Sequence, residues 1–405
     1  MTGSVLFYVQ HLLGIGHTRR AFHLVNAVAR EGIEVTLVLG GEPLAWPICV
    51  EPASIVQLAP IRAHNASFKV LVGPRAQPID EKLRATRREA LLAAFESARP
   101  DAVVIEAFPF GRRAFRFELE PLIEAARSRC PPARVLCSVR DIVVVPDDTS
   151  RYREIIDRVR TDFDYVLVHG DPGFIPLEAS FAAASEIADR LIYTGYISEG
   201  VRSDEGDETT GVNEVLVSAG GGAVGATLLS TALEARRGGC LASLTWRLLA
   251  GPNLPEQAFA KLAGALPEGV ILERYRPEFP QMLRRCRISV SQAGYNTVLD
   301  ILAARTPAVV VPFASERETE QQLRAERLAA QGVLELVPET ELTPARLAHA
   351  IGRAIECDPR VISIDTGGAR RTADLIANII RDPVSVTGRA NGDFIPRSAG
   401  GIIDI

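Results

Sequence analysis

The sequence is poor in the features that would mark a disulfide scaffold, a nucleic-acid binder or a membrane-spanning chain. Its six cysteines (Cys49, Cys130, Cys137, Cys240, Cys286, Cys357) are scattered, with no CxxC pair and no regular spacing, which excludes a disulfide framework and fits a reducing, cytoplasmic compartment. Excess basic charge is lacking too: the formal net charge is -5, so the chain has no global positive field of the kind nucleic-acid binding requires. No stretch approaches the roughly 18 uninterrupted apolar residues of a membrane span, so any membrane contact is expected to be peripheral. The apolar start at 5–9 lacks a positive flank and a small-residue cleavage site, and reads as a first β-strand. No short internal repeat is present.

What is present is an ordinary globular composition, 47% apolar and 23% charged over 405 residues, enough for a sizeable core and long enough to split into two domains. Short β-branched runs alternate with helical periodicity, the pattern of βα units feeding parallel sheets. Strands are predicted at 5–9, 35–39, 102–106, 135–138 and 165–168, with helices at 17–30 and at 80–97, where Leu83, Leu91, Leu92 and Phe95 share a face. The segment SEGVRSDEGDETTGVN has almost no apolar content and marks a boundary. Beyond it strands are predicted at 215–218, 244–249, 270–272, 288–291, 308–311 and 333–336. The expected division is a first domain over 1–198, a linker at 199–213, a second domain over 214–366, and a helix near 369–380 plus tail over 367–405 that packs back toward the first domain.

Each half opens with a strand, a glycine turn and a helix. In HLLGIGHTRRA, Gly14 and Gly16 permit a tight turn and place His17 at a helix start, at the sheet edge where open α/β folds bind ligands. A neutral imidazole there is a candidate proton acceptor. The alternatives are a capping histidine in a plain turn or a dinucleotide fingerprint. The latter is disfavoured because Arg19 stands where the third glycine of GxGxxG belongs. Arg19 and Arg20 suit a phosphate or a solvated first turn. In the second half, the strand ending at Ser218 runs into Gly220, Gly221 and Gly222, whose amides ahead of a helix suit a diphosphate. Further on, Gly294, Asn296 and Thr297 open another helix and Asp300 lies one turn in, where a carboxylate takes ribose hydroxyls or merely complements the helix dipole. Glu320, Gln321 and Gln322 open a third, with the donor and acceptor groups that read sugar hydroxyls.

These stretches resemble the MurG-type N-acetylglucosaminyltransferases of cell-wall synthesis. The resemblance is carried by LVSAGGGAVGA, SQAGYNTVLDILAARTPAVVVPF and EQQLRA, with GIGHTRRA similar to that family's GGxGGH turn and to the GxGHxxR of a nucleotide-sugar hydrolase of pseudaminic acid synthesis. EAFPFGRR, SVRDI and HGDP are shared with a group of predicted bacterial glycosyltransferases. The resemblance implies the GT-B fold, two Rossmann-like α/β domains whose parallel sheets face across a cleft. It further implies inverting transfer of a sugar from UDP-GlcNAc to a hydroxyl acceptor, small, glycan or lipid-linked, with no tightly bound cofactor. Carried over by position, His17 is the base, Gly220 to Gly222 hold the diphosphate, Arg276 presents backbone to the base ring, Asp300 takes the ribose, and Glu320 to Gln322 take the sugar hydroxyls. Gly14, Gly16, Ser218, Gly294, Asn296 and Thr297 complete the expected donor-binding set. Two departures bear on the donor: Asp300 stands where the family has Glu, and the loop at 313–320 is longer.

Asp162, Phe163 and Asp164 form a DxD at the strand end away from the cleft, and the remaining histidines lack ligand spacing, so no tightly bound metal is expected. FPFGRRAFRF interleaves aromatics with Arg112, Arg113 and Arg116, which suits either docking of an anionic, partly apolar acceptor or membrane face, or structural bracing of the first domain; bracing is the preferred reading. The rival functions are a nucleotide-sugar hydrolase or epimerase on the same fold, a non-catalytic sugar-binding protein, and an oxidoreductase.

Overall fold

The first domain is wound around β1 (Ser4–Val9), whose residues from Val5 on are buried, as a central parallel strand covered on both faces must be. The structure, a computed structural model, describes residues 3–12, 16–43, 53–64, 70–143, 148–197, 209–220, 225–313, 320–356 and 364–381. After β1 come α1 (Gly16–Arg30), β2 (Glu34–Leu39), β3 (Ala53–Gln57), the short antiparallel pair β4 (Arg62–Ala63) and β5 (Leu71–Val72), α2 (Glu81–Ala98), β6 (Ala102–Glu106), α3 (Arg116–Ser128), β7 (Arg134–Arg140), α4 (Thr149–Asp162), β8 (Tyr165–His169) and β9 (Leu191–Tyr193). The second domain continues with β10 (Val215–Ser218), α5 (Ala226–Arg237), β11 (Trp246–Leu249), α6 (Glu256–Ala263), β12 (Val270–Glu273), α7 (Phe279–Arg285), β13 (Ile288–Ser291), α8 (Tyr295–Ala304), β14 (Ala308–Val310), α9 (Glu320–Ala330), β15 (Glu335–Leu336) and α10 (Pro344–Ala354), followed by α11 (Gly368–Arg381).

Two parallel sheets result, ordered β3-β2-β1-β6-β7-β8-β9 and β12-β11-β10-β13-β14-β15 among the described residues. In each the strand order reverses once, between β1 and β6 and between β10 and β13, and a reversal opens a crevice beyond the carboxyl ends of the two strands. β1 and β10, the strands that precede the two glycine segments, end there. Helix α1 is held in place by Ala21, Leu24, Val25 and Val28, a stripe at helical spacing buried in one cluster with Ala373, Ile376, Ala377 and Ile379 of α11. The last described helix thus packs on the first domain. Gly368 permits that approach, since a Cβ there would stand 2.2 Å from the Gly195 carbonyl oxygen.

Strands β3 and β9 were not expected from the sequence. They lie at the sheet edges, and β3 leaves Ile55 43% exposed, so neither needs the apolar run that announces a central strand. Helix α5 starts at Ala226, behind Gly225 at φ +123°. Of the expected boundary segment, 209–213 lies within the described residues.

Candidate active site

The switch point of the first sheet gathers a cluster of buried polar side chains. Gly14 lies outside the described residues; Gly16 opens α1 and His17 follows it. The Nδ1 atom of His17 stands 2.9 Å from Oε1 of Glu106, the last residue of β6, the neighbour of β1. Glu106 also accepts from Arg20, one helical turn after His17, and from the Ser138 hydroxyl at 2.7 Å. Burial opposes ionisation of Glu106, but the Arg20 charge and the hydrogen bonds from His17 and Ser138 outweigh it and hold the carboxyl well below its usual range. It is therefore an acceptor only, so His17 presents Nδ1–H to it.

The His17 imidazole is itself pushed well down from its ordinary value, first by burial and next by the Arg140 charge, against the Glu106 hydrogen bond, which favours the cation. It is neutral at pH 7, with its lone pair on Nε2. The side chain is 20% exposed while Glu106 is 3% exposed, so the ring alone of the pair reaches the cleft. Ala107 directly follows at φ +66°, a strained conformation for a residue with a Cβ that turns the chain sharply behind Glu106.

Across the cleft, Ser218 ends β10 and its hydroxyl accepts from the Gly220 amide at 3.3 Å, with Gly220 at φ +69°; Gly221 and Gly222 lie outside the described residues. Gly294 caps α8, placing Asn296 and Thr297 half-buried in its first turn. Asp300, with 7% of its side chain exposed, stands 3.5 Å from Nη1 of Arg19, two residues from His17. Arg276 follows β12 and pairs with Glu273. Glu320 opens α9, 2% exposed, with Arg140 at 2.7 Å and Arg324 at 3.0 Å. Gln321 accepts from the Phe313 amide at 3.1 Å, and Gln322 donates to Glu326 at 2.6 Å. The structure thus brings His17, Arg19, Asp300 and, through Arg140, Glu320 to one interface. Arg276 sits at the edge strand, and Gln322 is engaged along its own helix.

Residues to which the sequence reading gave no role complete the interface. Arg324 bonds Asp141 at 2.8 Å from the second domain to the first. Tyr196 donates to the same carboxylate at 3.0 Å. The Tyr295 ring, from α8, carries the guanidiniums of Arg20 and Arg324 at 5.6 and 5.3 Å from its centroid, and its hydroxyl donates to the His169 carbonyl at 3.0 Å.

Comparison with known proteins fits this geometry. Residues 216–363 match the glycosyltransferase family 28 C-terminal domain. An uncharacterized glycosyltransferase of Methanopyrus kandleri is 32% identical over 108 residues, 26% of this chain and 31% of its own length. The UDP-N-acetylglucosamine--N-acetylmuramyl-(pentapeptide) pyrophosphoryl-undecaprenol N-acetylglucosamine transferase of Exiguobacterium sibiricum is 27% identical over 120 residues, 29% of this chain and 33% of its own length. The chain thus spans about a third of the length of these curated relatives. Over nearly the whole chain the fold is similar to that of CalG4, the calicheamicin glycosyltransferase (TM-score 0.63, 20% identity, 94% of this chain and 99% of that one). It is also similar to Acinetobacter baumannii MurG (TM-score 0.57, 15% identity, 93% and 99%). The fold is GT-B.

The remaining motifs of this GT-B chain resolve into structural roles. Asp164 is neutralised by Arg127 and Arg134 and accepts from the Val135 amide, while Asp162 pairs with Arg158. No cluster of metal-ligating side chains occurs among the described residues, and no helix among them is long and apolar enough to cross a membrane. In FPFGRRAFRF, Phe108, Phe110 and Phe115 are buried in the first-domain core. Arg112 donates to the Gln10 carbonyl at 2.6 Å, and Arg113 and Arg116 pair with Glu154. The segment braces the domain. Phe108, Phe110 and Phe115, held in the core, are not available to an apolar docking face.

Proposed function

We propose that this protein is an inverting glycosyltransferase that moves GlcNAc from UDP-GlcNAc to a hydroxyl acceptor, with His17 as general base, and that its domain limits are 1–198 and 214–366. The observation that carries the reading is the neutral His17 ring, wired to an ionised Glu106 on one lip of the cleft and standing two residues from the Arg19–Asp300 contact with the other. In the proposed reaction Nε2 of His17 takes the acceptor proton as the hydroxyl oxygen attacks the anomeric carbon. The bond from that carbon to the diphosphate breaks on the opposite face, so one displacement inverts the centre and UDP leaves. Glu106 stabilises the imidazolium that forms, as the carboxylate of a catalytic triad does. Amides of Gly220 to Gly222 and the start of α5 take the charge of the departing diphosphate. Asp300 accepts the ribose hydroxyls, which requires that Arg19 let go of it or share it.

Glu320 is engaged by two arginines, so a sugar hydroxyl reaches its carboxylate only alongside them; Gln321, turned onto the Phe313 amide, is the other candidate reader. Calorimetric or fluorescence melting with a panel of nucleotide sugars tests the donor. UDP-GlcNAc at about a hundred times its dissociation constant stabilises the fold by about 2.7 kcal/mol, which raises the melting temperature by about 5 to 11 °C for a domain of this size. Asp300→Ala abolishes that shift. Stabilisation by a dTDP- or GDP-sugar instead overturns the donor, and stabilisation by a dinucleotide alone overturns the class of reaction.

A further inference from the structure

Behind Glu106 lies a chain of buried groups that the reaction as described does not use. The Ser138 hydroxyl that reaches Glu106 Oε2 is also 3.0 Å from Nε2 of His169, and Nδ1 of His169 is 2.8 Å from the Thr194 hydroxyl. Ser138, His169 and Thr194 are 0 to 1% exposed and leave the carboxyl ends of β7, β8 and β9. The fold brings them together by register: Glu106 pairs with Ser138 between β6 and β7, and Arg140, two residues on, pairs with His169 between β7 and β8.

The direction of every bond is set by chemistry. An ionised Glu106 cannot donate, so Ser138 spends its one proton on it. Ser138 then offers His169 a lone pair, so Nε2 of His169 carries the hydrogen. His169 is neutral, its value pushed down to about 3 by burial and by the nearby Arg20 charge, so its Nδ1 is left as an acceptor for the Thr194 hydroxyl. All the donated hydrogens run one way, from Thr194 to His169 to Ser138 to Glu106. The bond from the Tyr295 hydroxyl to the His169 carbonyl ties the chain to the second domain.

We propose that Ser138, His169 and Thr194 are positioning residues, a one-way hydrogen-bond relay that fixes the orientation and charge of Glu106 and thereby the tautomer and basicity of His17. This rests on the reading of His17 as the base. A hydrogen bond to one carboxylate oxygen withdraws charge from the other, so the relay restrains how strongly Glu106 favours protonated His17. The groups facing that ring are Glu106 from β6, Arg20 from its own helix, Arg140 from the end of β7 and Arg112 from the turn after β6.

The test pairs nitrogen-15 NMR of histidine-labelled protein with the rate of UDP release from UDP-GlcNAc. In the wild type, His169 shows a hydrogen on Nε2 and does not titrate between pH 5 and 8; a hydrogen on Nδ1, or titration in that window, overturns the relay without any variant being made. Ser138→Ala is expected to raise the His17 titration by about half a unit or more and to lower kcat roughly tenfold, the equivalent of one hydrogen bond to a charged group, with KM for UDP-GlcNAc unchanged. His169→Leu has the same effect. His169→Gln, which keeps an N–H donor near the Nε2 position, recovers most of the rate. If Ser138→Ala and His169→Leu fold and leave both the His17 titration and kcat at wild-type values while His17→Ala is inactive, the relay is overturned and the base stands. If His17→Ala is itself active, the base reading falls first.

Discussion

His17→Ala is expected to lower UDP release from UDP-GlcNAc by about 10²- to 10⁴-fold, the usual contribution of a positioned general base, while the thermal shift given by the donor persists. Alanine offers no lone pair where Nε2 stood, and Glu106, the carboxylate bonded to the ring, is behind it and already engaged by Arg20 and Ser138. Donor binding survives because Gly220 to Gly222 and Asp300, proposed to hold the diphosphate and the ribose, belong to the other domain. The pH profile carries a sign. The folded His17 value lies below 6.5, so the ring stays neutral and competent down through pH 6.5, and the acid limb of the rate falls below that pH. Glu106→Gln removes the negative charge that favours the imidazolium. The limb then moves to still lower pH while the rate drops, opposite to the shift expected of Ser138→Ala. A rate for His17→Ala within tenfold of wild type would remove His17 from the mechanism.

The same depressed histidines set the acid stability. Below about pH 6.5 an unfolded chain protonates His17 and His169, which the folded chain does not. The unfolded state therefore binds more protons and gains on the folded state as pH falls. Ionised Glu106 acts in the same direction below about 4.5.

Much of the architecture was legible because central strands advertise themselves. The runs at 5–9, 102–106 and 215–218 are continuous and apolar, and the structure places β1, β6 and β10 there, each beside a strand-order reversal. His17 was legible for a local reason: a strand, two glycines and a histidine at a helix start are contiguous in sequence. Its partners were not. Glu106, Ser138 and His169 are 89, 32 and 31 residues apart along the successive contacts that link them, and only the parallel register of β6, β7 and β8 makes them neighbours. They sat inside EAFPFGRR, SVRDI and HGDP, stretches visible as shared motifs but without roles until the strand order was known. The reverse held for Glu320, whose polarity suggested a sugar reader, whereas its burial between Arg140 and Arg324 depends on how two domains meet.

Asp141→Ala is expected to be the most destabilising of the changes considered. Asp141 and Arg324 have 0% and 1% of their side chains exposed, and the guanidinium approaches both carboxylate oxygens, Nη2 to Oδ1 at 2.8 Å and Nε to Oδ2 at 3.3 Å. Burial disfavours the Arg324 cation, yet the charges of Asp141 and Glu320 more than reverse this and hold it firmly protonated. Removing Asp141 leaves a buried cation with Glu320 as its remaining acidic partner, and breaking a buried pair from one side costs about 3–5 kcal/mol, which lowers the melting temperature by at least about 6 °C. Tyr196 loses its acceptor as well. The double variant Asp141→Leu, Arg324→Leu buries neither charge, and on the same argument recovers much of the loss. It does not recover function: without Arg324, Glu320 keeps Arg140 as its cation, and the bonds from α9 to Asp141, just after β7, are gone. The measurement is a double-mutant cycle by thermal or denaturant unfolding, read beside UDP release. A single-variant loss below about 1 kcal/mol, the range of an exposed pair, would show that the contact between the domains opens to water and that the pair does not hold the cleft in its folded geometry.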